Sequence, residues 1–222
     1  MIITIDGTVG SGKSTAAAGL AGRLAAVHLD TGAMYRALTL KALDGGTDLE
    51  DPAALEALAR STRVDLAGGP GAQRVSLDGR DVTQAIRENR VSTHSHYVAR
   101  TAAVREVLVV AQRAIAAGAA HVVAEGRDQG TVVFPGADVK FFLDADPEVR
   151  ARRRQLELEV RGEYRSYREV LAEVVERDRR DSTRAVAPLR RAADAVELDT
   201  SGMTLDEVVA AVAGIARGQA GS

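Results

Sequence analysis

Gly7-Thr8-Val9-Gly10-Ser11-Gly12-Lys13-Ser14 satisfies every fixed position of the pattern G-x-x-x-x-G-K-[ST], and its flanks decide the fold. The residues ahead of it, 1–5, form a short apolar, β-branched run that reads as a buried strand. Behind it, residues 14–25 are rich in Ala and Leu at helical spacing. Gly7, Gly10 and Gly12 allow the chain between strand and helix to turn tightly enough to aim successive N–H groups at one anion. The positive end of the helix adds to that attraction, Lys13 reaches the β- and γ-phosphates, and Ser14 offers a hydroxyl to Mg²⁺. Gly7, Thr8, Val9, Gly10, Ser11, Gly12, Lys13, Ser14 and Thr15 are therefore the candidate cradle for a nucleoside triphosphate.

Working outward, short apolar runs at 2–5, 27–29, 121–124, 139–143 and 195–198 read as strands. Helical patterns separate them at 13–25, 32–43, 102–117, 147–159, 167–180 and 204–217, the last opened by a Thr204–Glu207 capping box. This alternation predicts an α/β fold: a five-stranded parallel sheet with helices on both faces. Asp6 and Asp30 then fall at the carboxyl ends of their strands, where such sheets place their sites; Asp6 is a candidate to order the magnesium shell or a loop water. Two stretches interrupt the alternation. Residues 63–82 read as strand, Gly68-Gly69-Pro70-Gly71 turn, strand, and Asp78-Gly79 turn, a small inserted antiparallel sheet. Residues 152–168 are polar and strongly charged, either a mobile flap over the phosphates or an exposed helical connection.

Composition narrows the field. At 222 residues the chain holds one α/β domain with a small insertion, and without Cys it has neither disulfides nor thiolate metal sites. A net charge of −2 argues against nonspecific nucleic-acid binding. Of the 29 basic residues only Lys13, Lys41 and Lys140 are lysine, so clustered arginines are the candidates for gripping phosphate in a bidentate fork. With no basic leader, no membrane-length apolar run and no extended apolar seam, a soluble cytoplasmic monomer without nucleic-acid or membrane partners is expected.

The loop alone leaves GTPases, ATP-driven machines, small-molecule kinases and passive nucleotide binders open. The chain has no guanine-reading Asn-Lys-x-Asp segment and no Leu-Ser-Gly-Gly-Gln signature, and it is small for a motor. A compact kinase or a binder without chemistry remains. Arg177, Asp181 and Arg184 stand at i, i+4 and i+7 and share a face if they lie on one helix. No residue is an obvious strong base, which suits an already ionised phosphate acceptor better than an alcohol.

Four blocks make the choice specific: Ile5-Asp6-Gly7 into the phosphate loop; Leu29-Asp30-Thr31-Gly32-Ala33-Met34-Tyr35-Arg36; Glu125-Gly126-Arg127-Asp128 through Pro135; and Glu176-Arg177-Asp178 through Leu189. In these blocks, in order and nearly end to end, the chain resembles the bacterial cytidylate kinases, a branch of the nucleoside monophosphate kinases. The resemblance implies transfer from ATP, with Mg²⁺, to CMP and dCMP. It implies an inserted monophosphate-binding subdomain at about 60–100 and a helical lid at about 150–168. Lys13, Arg36, Arg127 and Arg177 would be the catalytic charges, the three arginines around the acceptor phosphate. Thr31, Arg105, Asp128, Asp181 and Arg184 would complete the acceptor contacts, with Asp181 on the ribose and Asp128, Arg105 and Arg184 on the base. Arg152, Arg153 and Arg154 either deliver charge from the lid or form a solvated face with Glu157 and Glu159. In one place the chain departs from the pattern: His96 stands where the family usually has a base-holding serine, with Ser95 beside it. That departure bears on pyrimidine preference rather than on reaction class. Kinases of UMP or of a shikimate-like alcohol, and an ATP sensor without turnover, are the rivals.

Overall fold

The computed structural model describes residues 1–67 and 73–220. The chain begins with β1 (Ile2–Gly7), α1 (Lys13–Leu24), β2 (Val27–Asp30) and α2 (Thr31–Asp44). It continues through α3 (Pro52–Arg60), β3 (Val64–Ala67), β4 (Arg74–Leu77), β5 (Arg80–Asp81), α4 (Asn89–Arg100) and α5 (Ala102–Ala117). The last third is β6 (Val122–Gly126), β7 (Val139–Asp144), α6 (Pro147–Val160), α7 (Tyr167–Thr183), β8 (Val196–Asp199) and α8 (Leu205–Ala220). The main sheet runs β2-β6-β1-β7-β8, every pair parallel. Its three central strands, β6, β1 and β7, are mostly apolar because helices cover both faces. On one face α1 and α8 close over Ile3, Ile5, Phe141 and Leu143; on the other α2, α3 and α5 close over Leu29, Val122 and Ala124.

The strands β3-β4-β5 form a separate antiparallel sheet. Asp78 and Gly79 turn β4 into β5, with φ of 50° and 85°, while the Gly68–Gly71 turn lies outside the described residues. Val75, Val82, Ile86 and Val91 share a small core with Ala33, Ala37 and Leu40 of α2. Residues 152–168 comprise most of one helix, a short link and the first residues of the next. They end α6 and begin α7, a helical hairpin with its own core of Ala151, Leu158, Val170 and Val174, against which Val9 of the phosphate loop packs. Ser166 starts α7 with a reciprocal capping box to Glu169.

Candidate active site

The turn after β1 is possible only for glycine at its first position. A Cβ on Gly7 would stand 1.9 Å from the Leu143 carbonyl oxygen, and its φ is 147°. Gly12, at φ 86°, ends the turn as the residue that caps α1. Thr8 fastens the loop to β7 through a 2.7 Å bond from its hydroxyl to Asp144, and the Thr200 hydroxyl donates to the Ser11 carbonyl at 3.1 Å. Lys13 folds back over the loop, its Nζ bonded to the Thr8 carbonyl and 3.4 Å from Ser11 Oγ. Burial, then the nearby Arg127 guanidinium, push its pKa well below the lysine range.

The Ser14 hydroxyl donates to Glu125 Oε2 at 2.6 Å, and His28 Nε2 lies 2.9 Å from Glu125 Oε1. Burial lowers the His28 pKa, but the bond to Glu125 outweighs it and the net shift is upward. Parallel pairing of β2 with β6 sets Asp30 opposite Glu125, which lines these groups along one sheet edge. Asp30 caps α2 through Ala33 N–H at 2.9 Å and holds Arg36 at 3.0 Å. Against the upward push of burial, the Arg36 charge and that N–H keep its carboxyl below the usual range.

Across the cleft, Arg127 Nε donates to Asp181 Oδ2 at 2.8 Å. Burial raises the Asp181 carboxyl, but Arg127 and Arg177 pull it lower overall. Arg177 has no hydrogen bond among the described residues; burial and the Arg127 charge push its pKa down to about 10. The Asp181 carboxylate offsets part of that charge without accepting a hydrogen bond from it. Arg105 bonds Asp128 with one amino group and the Ala99 carbonyl with the other, at 3.1 Å. Arg184 Nη2 approaches Asp128 Oδ1 at 3.6 Å from the end of α7. Asp128 thus pairs with Arg105 and Arg184 rather than with its neighbour Arg127.

One continuous cleft of about 1850 Å³ joins these groups. It brings together Val9, Gly10, Gly12, Lys13, Ser14 and Thr15 with Thr31, Arg36, Arg105, Arg127, Asp128, Arg177, Asp181 and Arg184; Gly7, Thr8 and Ser11 lie beneath it. The Thr31 hydroxyl is engaged with the Glu125 carbonyl at 2.7 Å. Two sets of candidate residues find protein partners. Asp6 is buried, and its oxygens accept from Gln129 and Gly130 N–H at 2.9 and 2.7 Å, which fixes the turn following Arg127-Asp128. The three α6 arginines also separate. Arg152 lies over the Tyr167 ring, Arg153 binds the Thr200 and Met203 carbonyls, and Arg154 pairs with Glu157 while lining the cleft.

Sequence reasoning missed the Ser14–Glu125–His28 chain. Glu125 stood inside a recognised block at a strand's carboxyl end, a usable signal; nothing in sequence spacing joins it to His28. Ser14 Oγ and Glu125 Oε2 are hard oxygen donors of the kind Mg²⁺ prefers, and the ion needs only one or two protein ligands beside phosphates. Among the described residues no cluster of three or more His, Cys, Asp or Glu could hold a metal by itself.

Comparison with known proteins agrees with this geometry. The family model described as cytidylate kinase matches residues 3–217. A cytidylate kinase of Nocardia farcinica is 47% identical over 209 residues, 94% of this chain and 90% of that protein. One from Pelotomaculum thermopropionicum is 50% identical over 220 residues, 99% and 96% of the two chains. One from Geobacillus thermodenitrificans is 48% identical over 210 residues, 95% and 93%. A likeness of this extent, with the phosphate loop and the arginine cluster facing one cleft, leaves a single assignment: the chain belongs to the cytidylate kinase family.

Proposed function

We propose that this chain transfers the γ-phosphoryl group of ATP to CMP and dCMP, giving CDP and dCDP. The observation that carries the reading is the meeting of two phosphate sites in one cleft, where burial and then the charge of Arg127 depress both Lys13 and Arg177. Three cations held this close repel one another unless polyanions come between them. A triphosphate on the loop and a monophosphate against Arg36, Arg127 and Arg177 satisfy that demand, and they bring donor and acceptor together for in-line transfer.

Lys13 leaves the Thr8 carbonyl for the β- and γ-phosphates and stabilises the charge that spreads over the transferring group. Ser14 and Glu125 would hold Mg²⁺, which would supply charge neutralisation on the donor phosphates. The acceptor phosphate is already ionised, so no side chain must remove a proton for attack. Asp181 binds the ribose, Thr31 borders the acceptor, and Arg105, Asp128 and Arg184 read the base. A carboxylate held by two arginines accepts from an exocyclic amine and opposes a carbonyl, which favours cytosine over uracil. The region around β3–β5 and α4 is the monophosphate-binding subdomain. The α6–α7 hairpin is the lid, and Arg154 is its arginine best placed to reach phosphate. The reading extends to a monomer acting on free nucleotides in the cytoplasm; among the described residues no helix is long and apolar enough to cross a membrane.

The test is ADP release from ATP and Mg²⁺ with CMP, dCMP, UMP, AMP, GMP and shikimate in turn. CMP and dCMP should exceed the others by at least about tenfold, the discrimination that one lost polar contact provides. ATP binding without turnover on any acceptor would overturn the kinase reading.

A further inference from the structure

Glu125 is a buried carboxylate in a cleft lined with cations. Its charge is felt at Lys13 and at Arg127, two of the groups that phosphate requires. A carboxylate with a free oxygen this close to them would pair with them, because such attraction is strong where water is scarce. Both of its oxygens are engaged elsewhere. Oε2 receives the Ser14 hydroxyl at 2.6 Å, and Oε1 lies 2.9 Å from His28 Nε2. A carboxylate only accepts, so the second contact assigns the ring proton to Nε2. Among the described residues neither Lys13 nor Arg127 forms an ion pair with Glu125. Lys13 bonds the Thr8 carbonyl, and Arg127 bonds Asp181.

The sheet sets this arrangement. β2 runs parallel to β6 with His28 opposite Val123, so His28 and Glu125 share one sheet face. α1 closes over that face against Val123, and its first turn presents Ser14. Gln73, just ahead of β4, donates to the His28 carbonyl and ties β2 to the inserted sheet. His28 is itself buried, which leaves its ring little freedom to abandon Glu125.

We propose that His28 is a positioning residue that keeps Glu125 turned toward Ser14 and off Lys13 and Arg127. Both cations thereby stay free for nucleotide, and the carboxylate stays beside the Ser14 hydroxyl, where Mg²⁺ would be held. The inference rests on the phosphate loop being the donor site, and deepens that reading. A side chain without a donor at position 28 leaves Oε1 buried and unpaired. Lys13 and Arg127, which already feel its charge, are the groups that can satisfy it. Glu125 then competes with phosphate for the same cations.

The experiment measures the Kd of an unhydrolysable ATP analogue in excess EDTA. The proteins are wild type, His28→Leu, His28→Gln, Glu125→Gln, and His28→Leu combined with Glu125→Gln. His28→Leu should weaken binding about tenfold, the effect of one competing charge-assisted bond. His28→Gln carries an amide N–H in place of the ring N–H and should stay near the wild type. With Glu125→Gln already in place, His28→Leu should change the Kd by less than about twofold, because no carboxylate remains to compete. A merely structural role for His28 gives the same loss in both Glu125 backgrounds, and that result would overturn the proposal, as would an unchanged Kd in His28→Leu. Mn²⁺ binding to the analogue complex, followed by EPR, is the second readout. His28→Leu should weaken it about tenfold, as loss of an outer-shell partner does, and His28→Gln should largely preserve it. Equal Mn²⁺ affinity in wild type and His28→Leu would overturn the link to the metal. A wild type that binds the analogue neither with nor without Mn²⁺ would overturn the donor-site reading itself, whereas failure of the His28 role leaves that binding intact.

Discussion

Lys13 illustrates a conflict between folding and function at a single side chain. Its stem is 5% exposed and its charge sits among cations, so the folded protein without nucleotide holds it at a cost. The Thr8 carbonyl it contacts is independently satisfied by the Ser11 hydroxyl at 3.0 Å. Lys13→Met should therefore abolish turnover, by at least about 10²-fold for the loss of a charge-stabilising donor. The same variant should raise the Tm of the nucleotide-free protein by about 2–4 °C, the shift that ~1 kcal/mol gives in a chain this long. Calorimetry beside the ADP assay checks both, and a fall in Tm would sink the account of a strained cation. Asp6 is a second strained group. Burial raises its pKa from 3.8 to about 6, even with two N–H groups bonded to it. A raised carboxyl binds its proton more tightly folded than unfolded, so its contribution favours folding below about pH 4. That contribution is lost as pH climbs through 6. Urea unfolding of wild type and Asp6→Asn from pH 4 to 7 should show the wild type losing up to ~3 kcal/mol relative to the variant as pH rises. Parallel curves would mean that Asp6 does not titrate in this window.

At the scale of elements, the two helix-opening boxes carry the most local information. Thr204 and Glu207 exchange bonds of 2.8 and 3.3 Å, and Val208, Val212 and Ala216 on the helix they start pack against the sheet. Thr204→Ala should cost about 1 kcal/mol, or roughly 2–4 °C in Tm, with kcat/KM unchanged; an unchanged Tm would show the box to be idle. This box was legible from letters alone because its partners are three residues apart. The core strands were legible for a similar reason: burial on both faces leaves a short, mostly apolar run wherever β1, β6 and β7 lie. Two helices were not legible. The α4 sequence is crowded with Ser, Thr, His and Val, poor helix formers, and only Val91 and Val98 are fully buried on it. Packing against α2 and α5 makes it helical, which no local pattern states. α3 is short and Ala-rich, and its real signal was the Asp51-Pro52 opening, where Asp51 accepts from Ala53 and Ala54 N–H. The site divides in the same way. Loop positions could be read from spacing and the arginine blocks from resemblance, while the partners of Asp128, Glu125 and Arg127 lie 23 to 111 residues away and emerge only from the fold.

For the whole molecule, the cleft lies between two bodies of packing, bonded across it through Arg127–Asp181 and beside it through Arg153–Thr200. The main sheet carries the donor loop, and α7 carries Arg177 and Asp181 over the acceptor. Val9 at the loop's apex donates to Asp178 of α7 at 3.1 Å and accepts from Arg150 of α6 at 3.0 Å, so the helical hairpin is anchored to the loop at its base. Beyond that anchor the hairpin lines the cleft, and the buried Arg177 charge opposes its approach to Arg127 and Lys13. Anions placed between these groups remove the repulsion, so ligand binding and closure of the cleft should be linked. CMP alone and an unhydrolysable ATP analogue alone, each at about 100 times its Kd, should each stabilise the protein by ~3 kcal/mol, several degrees in Tm. A bisubstrate molecule, two nucleosides joined by a phosphate chain long enough to span both sites, should exceed the sum of the two. It bridges the loop and the α7 arginines at once and also removes the repulsion between two separately bound anions. Small-angle scattering should show the compaction under the same conditions. A bisubstrate shift no larger than that of the ATP analogue would mean that the acceptor arginines bind nothing, and that the two phosphate sites do not act as one.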